Sequence, residues 1–271
     1  MPVYRLTDQS DDFDSDAVAD WPFLGAIVFA REGDDEIRAR GTGMLLKGGD
    51  GDDHVFGIAH DSVLRGGEGD DLIEVGDFRG ATGNRLFGGL GDDTLAALGN
   101  DNRLDGGEGD DLLVSDNTKL PPGFVGGTAG SVMVGGPGED RYELRATNTY
   151  ALDDDGDGAL GEGDVIRGFI DEIRDYGCGE VIDLGEVEAG TLGLIRFPPE
   201  PSPGSLLLTL GAGSYAALRG DLTAPGQFEV DSENGQDLLI VYQRDAFDEP
   251  YYGLGAVALH DVTSLDAVTF A

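Results

Sequence analysis

Six aspartates occupy the same place in six short glycine-rich segments: Asp53 in GGDGDDHVF (48–56), Asp71 in GGEGDDLIE (66–74), Asp93 in GGLGDDTLA (88–96), Asp111 in GGEGDDLLV (106–114), Asp140 in GGPGEDRYE (135–143) and Asp35 in the worn copy AREGDDEIR (30–38). The segments start 18, 18, 22, 18 and 29 residues apart. A regular backbone would bring these carboxylates together along one edge. At ~5 Å and an effective dielectric of ~20, each neighbouring pair of like charges costs on the order of 3 kcal/mol, so the arrangement calls for a cation between them. Carboxylates and bend carbonyls are hard oxygen ligands, which suits Ca2+. One cysteine, Cys178, and three scattered histidines, His54, His60 and His260, argue against zinc or copper.

The glycines belong to the same chemistry. Gly48, Gly49 and Gly51, Gly66, Gly67 and Gly69, Gly88, Gly89 and Gly91, and Gly106, Gly107 and Gly109 allow a bend with positive φ and a close backbone approach that a Cβ would obstruct. They join the aspartates as candidate metal-site positions. Calcium is expected between the turns at 48/66, 66/88 and 88/106. The 30/48 pair lacks two glycines, and SDNTKLPPGFVGGTAG interrupts 106/135. Further along, DDDGDGALGEGD (153–164) sets Asp153, Asp155, Asp157 and Asp164 at positions 1, 3, 5 and 12 of a loop of the EF-hand type. It reads as a calcium loop or as a solvated acidic turn, with Asp in place of Glu at position 12.

Catalytic patterns are missing. The chain has no H-E-x-x-H stretch and no G-x-S-x-G elbow, and its clustered acids already have a metal role, so no catalytic residue is assigned. The expectation is a non-enzymatic protein.

The elements that must hold these residues show in an apolar ladder. Val28, Ile37, Leu46, Val55, Leu64 and Ile73 fall nine apart; Leu86, Leu95, Leu104 and Leu113 do the same after an insertion of four, and Met133 and Tyr142 resume the spacing. Nine fits neither a helix nor an alternating strand, but it fits a half turn of six-residue bend plus three-residue strand. Two half turns make an 18-residue turn. The fold class expected is all-β: a parallel β-roll over 28–144, an N-terminal cap over 1–27, and an antiparallel β cap over 145–271 closing the open end. In that last segment LLLTL, QFEVD, DLLIVYQ and AVALHDVTSLDAVTF read as strands between turn residues.

Composition sets the class of partner. The 271 residues carry 54 Asp+Glu against 17 Lys+Arg, a net charge of −37, with 39% apolar residues. That is enough for a core, while the charge repels nucleic acid. The longest apolar run, WPFLGAIVFA, is too short to cross a bilayer, and the N-terminus lacks the basic start and apolar core of a cleaved signal peptide.

The repeats resemble the nonapeptide G-G-x-G-x-D-x-U-x of the RTX family over about residues 28–143. The resemblance implies a calcium-bound β-roll. The alternate half turns, GIAHDSVLR (57–65) and ALGNDNRLD (97–105), lack the double glycine, so calcium is expected along one edge, with Asn, Asp and Thr side chains closing the other. GDVIRGF (163–169) and EVIDLG (180–185) resemble the end of the roll in serralysin-type proteins, with Glu180 where that pattern has Asp. This resemblance implies secretion through a type I apparatus that reads an uncleaved C-terminal signal, and an extracellular or cell-surface location. An ordinary closing strand is an equal reading of LHDVTSLDAVTFA. The main expectation is a secreted calcium-binding protein whose roll folds on meeting extracellular calcium. A second is an adhesion or surface-matrix module whose cap binds a glycan through Tyr150, Tyr215, Tyr242, Tyr251 and Tyr252; a polysaccharide-modifying enzyme is the least favoured.

Overall fold

The computed structural model describes residues 1–76, 81–116, 130–145, 149–152, 165–184, 188–190, 193–195, 205–210, 213–243 and 254–271. It divides into two compact units, one of residues 1–127 and 131–143, the other of 128–130 and 144–271.

The first unit is a parallel β-solenoid of about seven turns. Odd strands form one sheet and even strands the other: β1 Val3–Arg5, β2 Asp12–Asp14, β3 Ile27–Glu32, β4 Glu36–Thr42, β5 Leu45–Asp50, β6 His54–His60, β7 Val63–Glu68, β8 Leu72–Gly76, β9 Arg85–Leu90, β10 Thr94–Leu98, β11 Arg103–Glu108, β12 Leu112–Asp116, β13 Val132–Val134 and β14 Arg141–Arg145. Register follows the ladder. Val28, Leu46, Leu64, Leu86, Leu104 and Met133 lie opposite one another in the odd sheet. Ile37, Val55, Ile73, Leu95 and Leu113 do so in the even sheet. All of these, with Tyr142, have no solvent exposure, because the two sheets close on a thin core that Ala39, Ala59, Val75 and Ala97 complete.

So thin a core has little room to collapse around a defect. Leu95→Ala is expected to cost about 2–5 kcal/mol, read as a lower urea midpoint in calcium; a change within a few tenths would contradict so thin a core.

The coil begins before the glycine-rich repeats. β1 pairs in parallel with β3 and β2 with β4, placing Tyr4 under Val28 and Phe13 under Ile37. Tyr4, Phe13 and Trp21 pack ring against ring at 5.2–5.7 Å, and Trp21 Nε1 donates to the Arg40 carbonyl at 2.7 Å. Residues before 28 therefore supply a further turn as well as an aromatic end.

In the second unit, β15 Thr149–Leu152, β16 Val165–Gly168, β17 Ile170–Ile173, β18 Val181–Asp183, β19 Glu188–Ala189, β20 Gly193–Ile195, β21 Ser205–Thr209, β22 Ser214–Ala224, β23 Gln227–Val230, β24 Asp237–Gln243 and β25 Leu254–Leu259 form mostly antiparallel pairs. Among the described residues β17 pairs in parallel with β25 and β19 with β22. Ile166, Ile170, Phe228, Leu239, Val241, Ala256 and Ala258 form a buried cluster. The expected single strand AVALHDVTSLDAVTF stops at Leu259. Asp261 adopts a positive φ of 58°, its N–H donates to Asp237 Oδ1 at 3.1 Å, and a 3-10 turn follows at Leu265–Ala267. Phe270 then bridges Ile182 and packs on Tyr215 at 4.8 Å.

Candidate metal centre

Each repeat places its second aspartate two residues before a ladder residue, where the bend enters the even sheet. Asp35, Asp53, Asp71, Asp93, Asp111 and Asp140 are all buried there, and their Oδ1 atoms form one hydrogen-bonded ladder. Asp53 N–H donates to Asp71 Oδ1, Asp71 N–H to Asp93 Oδ1 and Asp93 N–H to Asp111 Oδ1, each at 2.8 Å. The ladder reaches Asp35 at one end and, across the long insertion, Asp140 at the other. Gly107 N–H to the Gly135 carbonyl and Gly109 N–H to Pro137 complete the stacking of the 106 and 135 bends. The interrupted pair is thus a stacked pair.

The other oxygen of each carboxylate has no such duty. Oδ2 of Asp35, Asp53, Asp71, Asp93 and Asp111 is buried and accepts no hydrogen bond from the described residues. In Asp53, Asp71, Asp93 and Asp111 it points into the space that the first glycine leaves. A Cβ on Gly48, Gly66, Gly88 or Gly106 would lie 1.9–2.1 Å from it. At Gly88 the same point lies 2.4 Å from the Gly106 carbonyl oxygen, so carboxylate and carbonyl oxygens converge with no donor between them. The second glycines are demanded by the neighbouring turn. Gly67 has φ +148°, and a Cβ there would sit 1.8 Å from the Gly49 carbonyl oxygen.

The opposite edge shows what the fold alone requires. Ser62, Asn84 and Asn102 stand at the position of the aspartates, two residues before Leu64, Leu86 and Leu104, and build the equivalent ladder. Ser62 N–H donates to Asn84 Oδ1 and Asn84 N–H to Asn102 Oδ1, both at 3.1 Å. The amides use their remaining atom: Asn84 Nδ2 donates to the Ala59 carbonyl and Asn102 Nδ2 to Ala81, each at 3.0 Å. Asp61 and Asp101 take the positive-φ positions of these bends, and Thr82 Oγ1 meets exposed His60 at 3.3 Å. A neutral side chain is therefore sufficient for the ladder. The charged Oδ2 on the glycine edge is surplus to folding, and an unpaired buried carboxylate oxygen is costly.

Electrostatics agree. Burial first, and the neighbouring aspartates after it, push the carboxyls of Asp53, Asp93 and Asp111 up to about 7 and that of Asp71 to about 6, against the lowering pull of the backbone N–H. Asp35 is raised as well, chiefly by burial. Desolvation, rather than the mutual repulsion of the stack, is the larger strain. Without metal, the unfolded chain releases these protons near pH 4 while the fold keeps them until about pH 6–7. The stability they contribute is complete below about pH 4 and is lost as pH rises towards about 7. In chelator the roll should therefore have a higher urea midpoint at pH 5 than at pH 8. The reverse order would contradict raised carboxyls.

The first aspartate of each doublet forms a second ladder that the pattern of repeats did not single out. Asp52 N–H donates to Asp34 Oδ1, Asp70 to Asp52, Asp92 to Asp70 and Asp110 to Asp92, at 2.9–3.1 Å. These carboxylates are exposed and take their hydrogen from the following turn, whereas the buried ones take it from the preceding turn. The repeated D-D doublet was the available signal.

Among the described residues no three His, Cys, Asp or Glu side chains converge on a metal position, so a cation at this edge must draw on bend carbonyls together with Oδ2. A set of oxygens alone, with a glycine-lined space beside it, fits Ca2+. Asp153, Asp155, Asp157 and Asp164 lie outside the described residues, as do Tyr251, Tyr252 and the side chain of Tyr150. Tyr242 is buried and is not available to a glycan, while Tyr215 is half-buried against Phe270. In the second unit, buried Glu172 accepts from Arg174 at 2.9 Å and faces His260 at 3.5 Å. These ion partners hold Glu172 below the usual carboxylate range despite burial, and raise His260.

Fold and site together define a parallel β-solenoid with one acidic, glycine-lined edge. Residues 47–80 and 78–113 match the family described as RTX calcium-binding nonapeptide repeat (4 copies), whose members bind Ca2+ in these repeats. Neither the curated proteins nor the solved structures give a match to the chain, and no helix among the described residues is long and apolar enough to cross a membrane.

Proposed function

We propose that this is a secreted, non-enzymatic calcium-binding protein whose solenoid sets when it meets extracellular calcium. The observation that carries the reading is the contrast between the two edges: one position, one hydrogen-bonding ladder, neutral Ser or Asn on one side and a buried carboxylate with an idle oxygen on the other. Ions held between successive glycine bends would take Oδ2 of Asp53, Asp71, Asp93 or Asp111 with neighbouring bend carbonyls. Once bound, calcium supplies the positive charge that lets the carboxylates ionise inside the fold. The stacked 106/135 bend extends the series to Asp140, and the worn 30/48 bend keeps the Asp35 ladder bond although Arg31, at φ 117°, replaces a glycine.

Secretion by a type I apparatus rests on the resemblance of 163–169 and 180–185 to serralysin-type C-terminal segments. In this chain the two stretches supply the buried Ile166, Ile182 and Leu184.

Calorimetric titration of the metal-free protein tests the reading. Three or more ions per chain are expected, with dissociation constants of ~10⁻⁴–10⁻³ M as in extracellular calcium modules. Binding of no ion, or unchanged stoichiometry when Asp71 and Asp93 are both replaced by Asn, would overturn it.

A further inference from the structure

The outward face of the odd sheet carries a short row of cations and aromatic rings. One residue beyond the ladder, successive turns present Arg5, Phe29, Lys47, Arg65 and Phe87 in a single row, since β1, β3, β5, β7 and β9 pair in register; the row ends on Asp105 of β11, whose carboxylate is held by Arg103 at 2.9 Å. Arg5 and Lys47 lie over the Phe29 ring at 5.6 and 5.8 Å, and Arg65 over Phe87 at 4.5 Å. Among the described residues none of these three cations pairs with a carboxylate, although the chain holds 54 acids. In so acidic a protein, cations left to stack on rings are a surface kept for another anion.

The row forms one wall of a groove of about 770 Å³. Its floor is the double-glycine rows, bare of side chains, and its other wall carries exposed Asp50 and Glu68. We infer that this groove binds an extended acidic polysaccharide, one whose sugar units each bear a carboxylate. Lys47 and Arg65 would pair with carboxylates, Phe29 and Phe87 would take the apolar faces of sugar rings, and Asp50 and Glu68 would accept hydrogen bonds from sugar hydroxyls. The acidic wall selects for a polymer rich in hydroxyl donors, which DNA does not offer. Strand spacing of ~4.8 Å along the row gives the groove the short repeat that a linear polymer of charged sugars can follow.

The groove opens on the outward face of the odd sheet and shares its glycine floor with the calcium edge, so the inference rests on the calcium reading. The full chain in saturating calcium is titrated with a short oligogalacturonate, with neutral dextran and single-stranded DNA of similar length in parallel. Binding of the oligogalacturonate that weakens with salt is expected, with a loss of at least about tenfold in Lys47→Glu/Arg65→Glu and a smaller loss in Phe87→Leu. Absence of binding, equal affinity in the double variant, or equal affinity for dextran or DNA overturns the inference. Calcium stoichiometry and circular dichroism of the double variant should match the parent. Failure of the groove is thereby separated from failure of the calcium site.

Discussion

Chelation at neutral pH should melt the roll, and restoring millimolar calcium should rebuild it. At about ten times its dissociation constant a bound ion stabilises the fold by roughly 1.4 kcal/mol, so three to five ions contribute ~4–7 kcal/mol. An ordinary domain has ~5–15 in all. The metal-free roll also keeps its penalty, because five buried Oδ2 atoms, those of Asp35, Asp53, Asp71, Asp93 and Asp111, accept no hydrogen bond from the described residues. Far-UV circular dichroism in excess chelator at pH 8 should show loss of β signal, regained on adding calcium but not on adding the same concentration of sodium. Equal β content with and without calcium would show that the ladder of aspartates holds itself together unaided.

The same physics explains which parts were legible in the sequence. A nine-residue interval between single apolar residues leaves only one way to bury them, so Leu46, Val55, Leu64 and Ile73 announce two columns without any structural knowledge. The glycines were legible because bends this tight exclude a Cβ. Tyr4 and Phe13 also stand nine apart, but Val28 follows fifteen residues after Phe13, and that offset hid the first turn. The outer aspartate ladder was hidden differently. Asp34, Asp52, Asp70, Asp92 and Asp110 are exposed, and an exposed acid in a bend carries no sign in the sequence of which backbone N–H it will meet. In the second unit Ser214–Ala224, the longest strand of the unit, mixes small, charged and apolar residues because its pairing with Asp237–Gln243 and Gln227–Val230, rather than its own burial, holds it in place. Pairing to neighbouring strands, unlike burial of one face, leaves no period within the strand itself.

Asp93→Asn should reverse its effect according to whether calcium is present. Asn at this position has a precedent within the molecule: Asn84 accepts from the preceding turn and donates to the following one just as Asp93 does. The variant therefore keeps the ladder while removing the charge. In chelator at pH 8 it eliminates a buried carboxylate oxygen that has no partner, and should be more stable than the parent by about 1–3 kcal/mol. In calcium it forfeits ligand charge at its bend and should be less stable by about 1.4 kcal/mol for each ion lost at tenfold excess over the dissociation constant. Urea midpoints of the two proteins, plotted against free calcium, should cross. Asp93→Ala serves as the control, because it abolishes the ladder bond from the Asp71 N–H as well as the charge and should be the weaker protein in either condition. If Asp93→Asn were weaker than the parent in chelator too, Oδ2 would have a structural partner in the metal-free fold, and the difference between the two edges would no longer point to an ion.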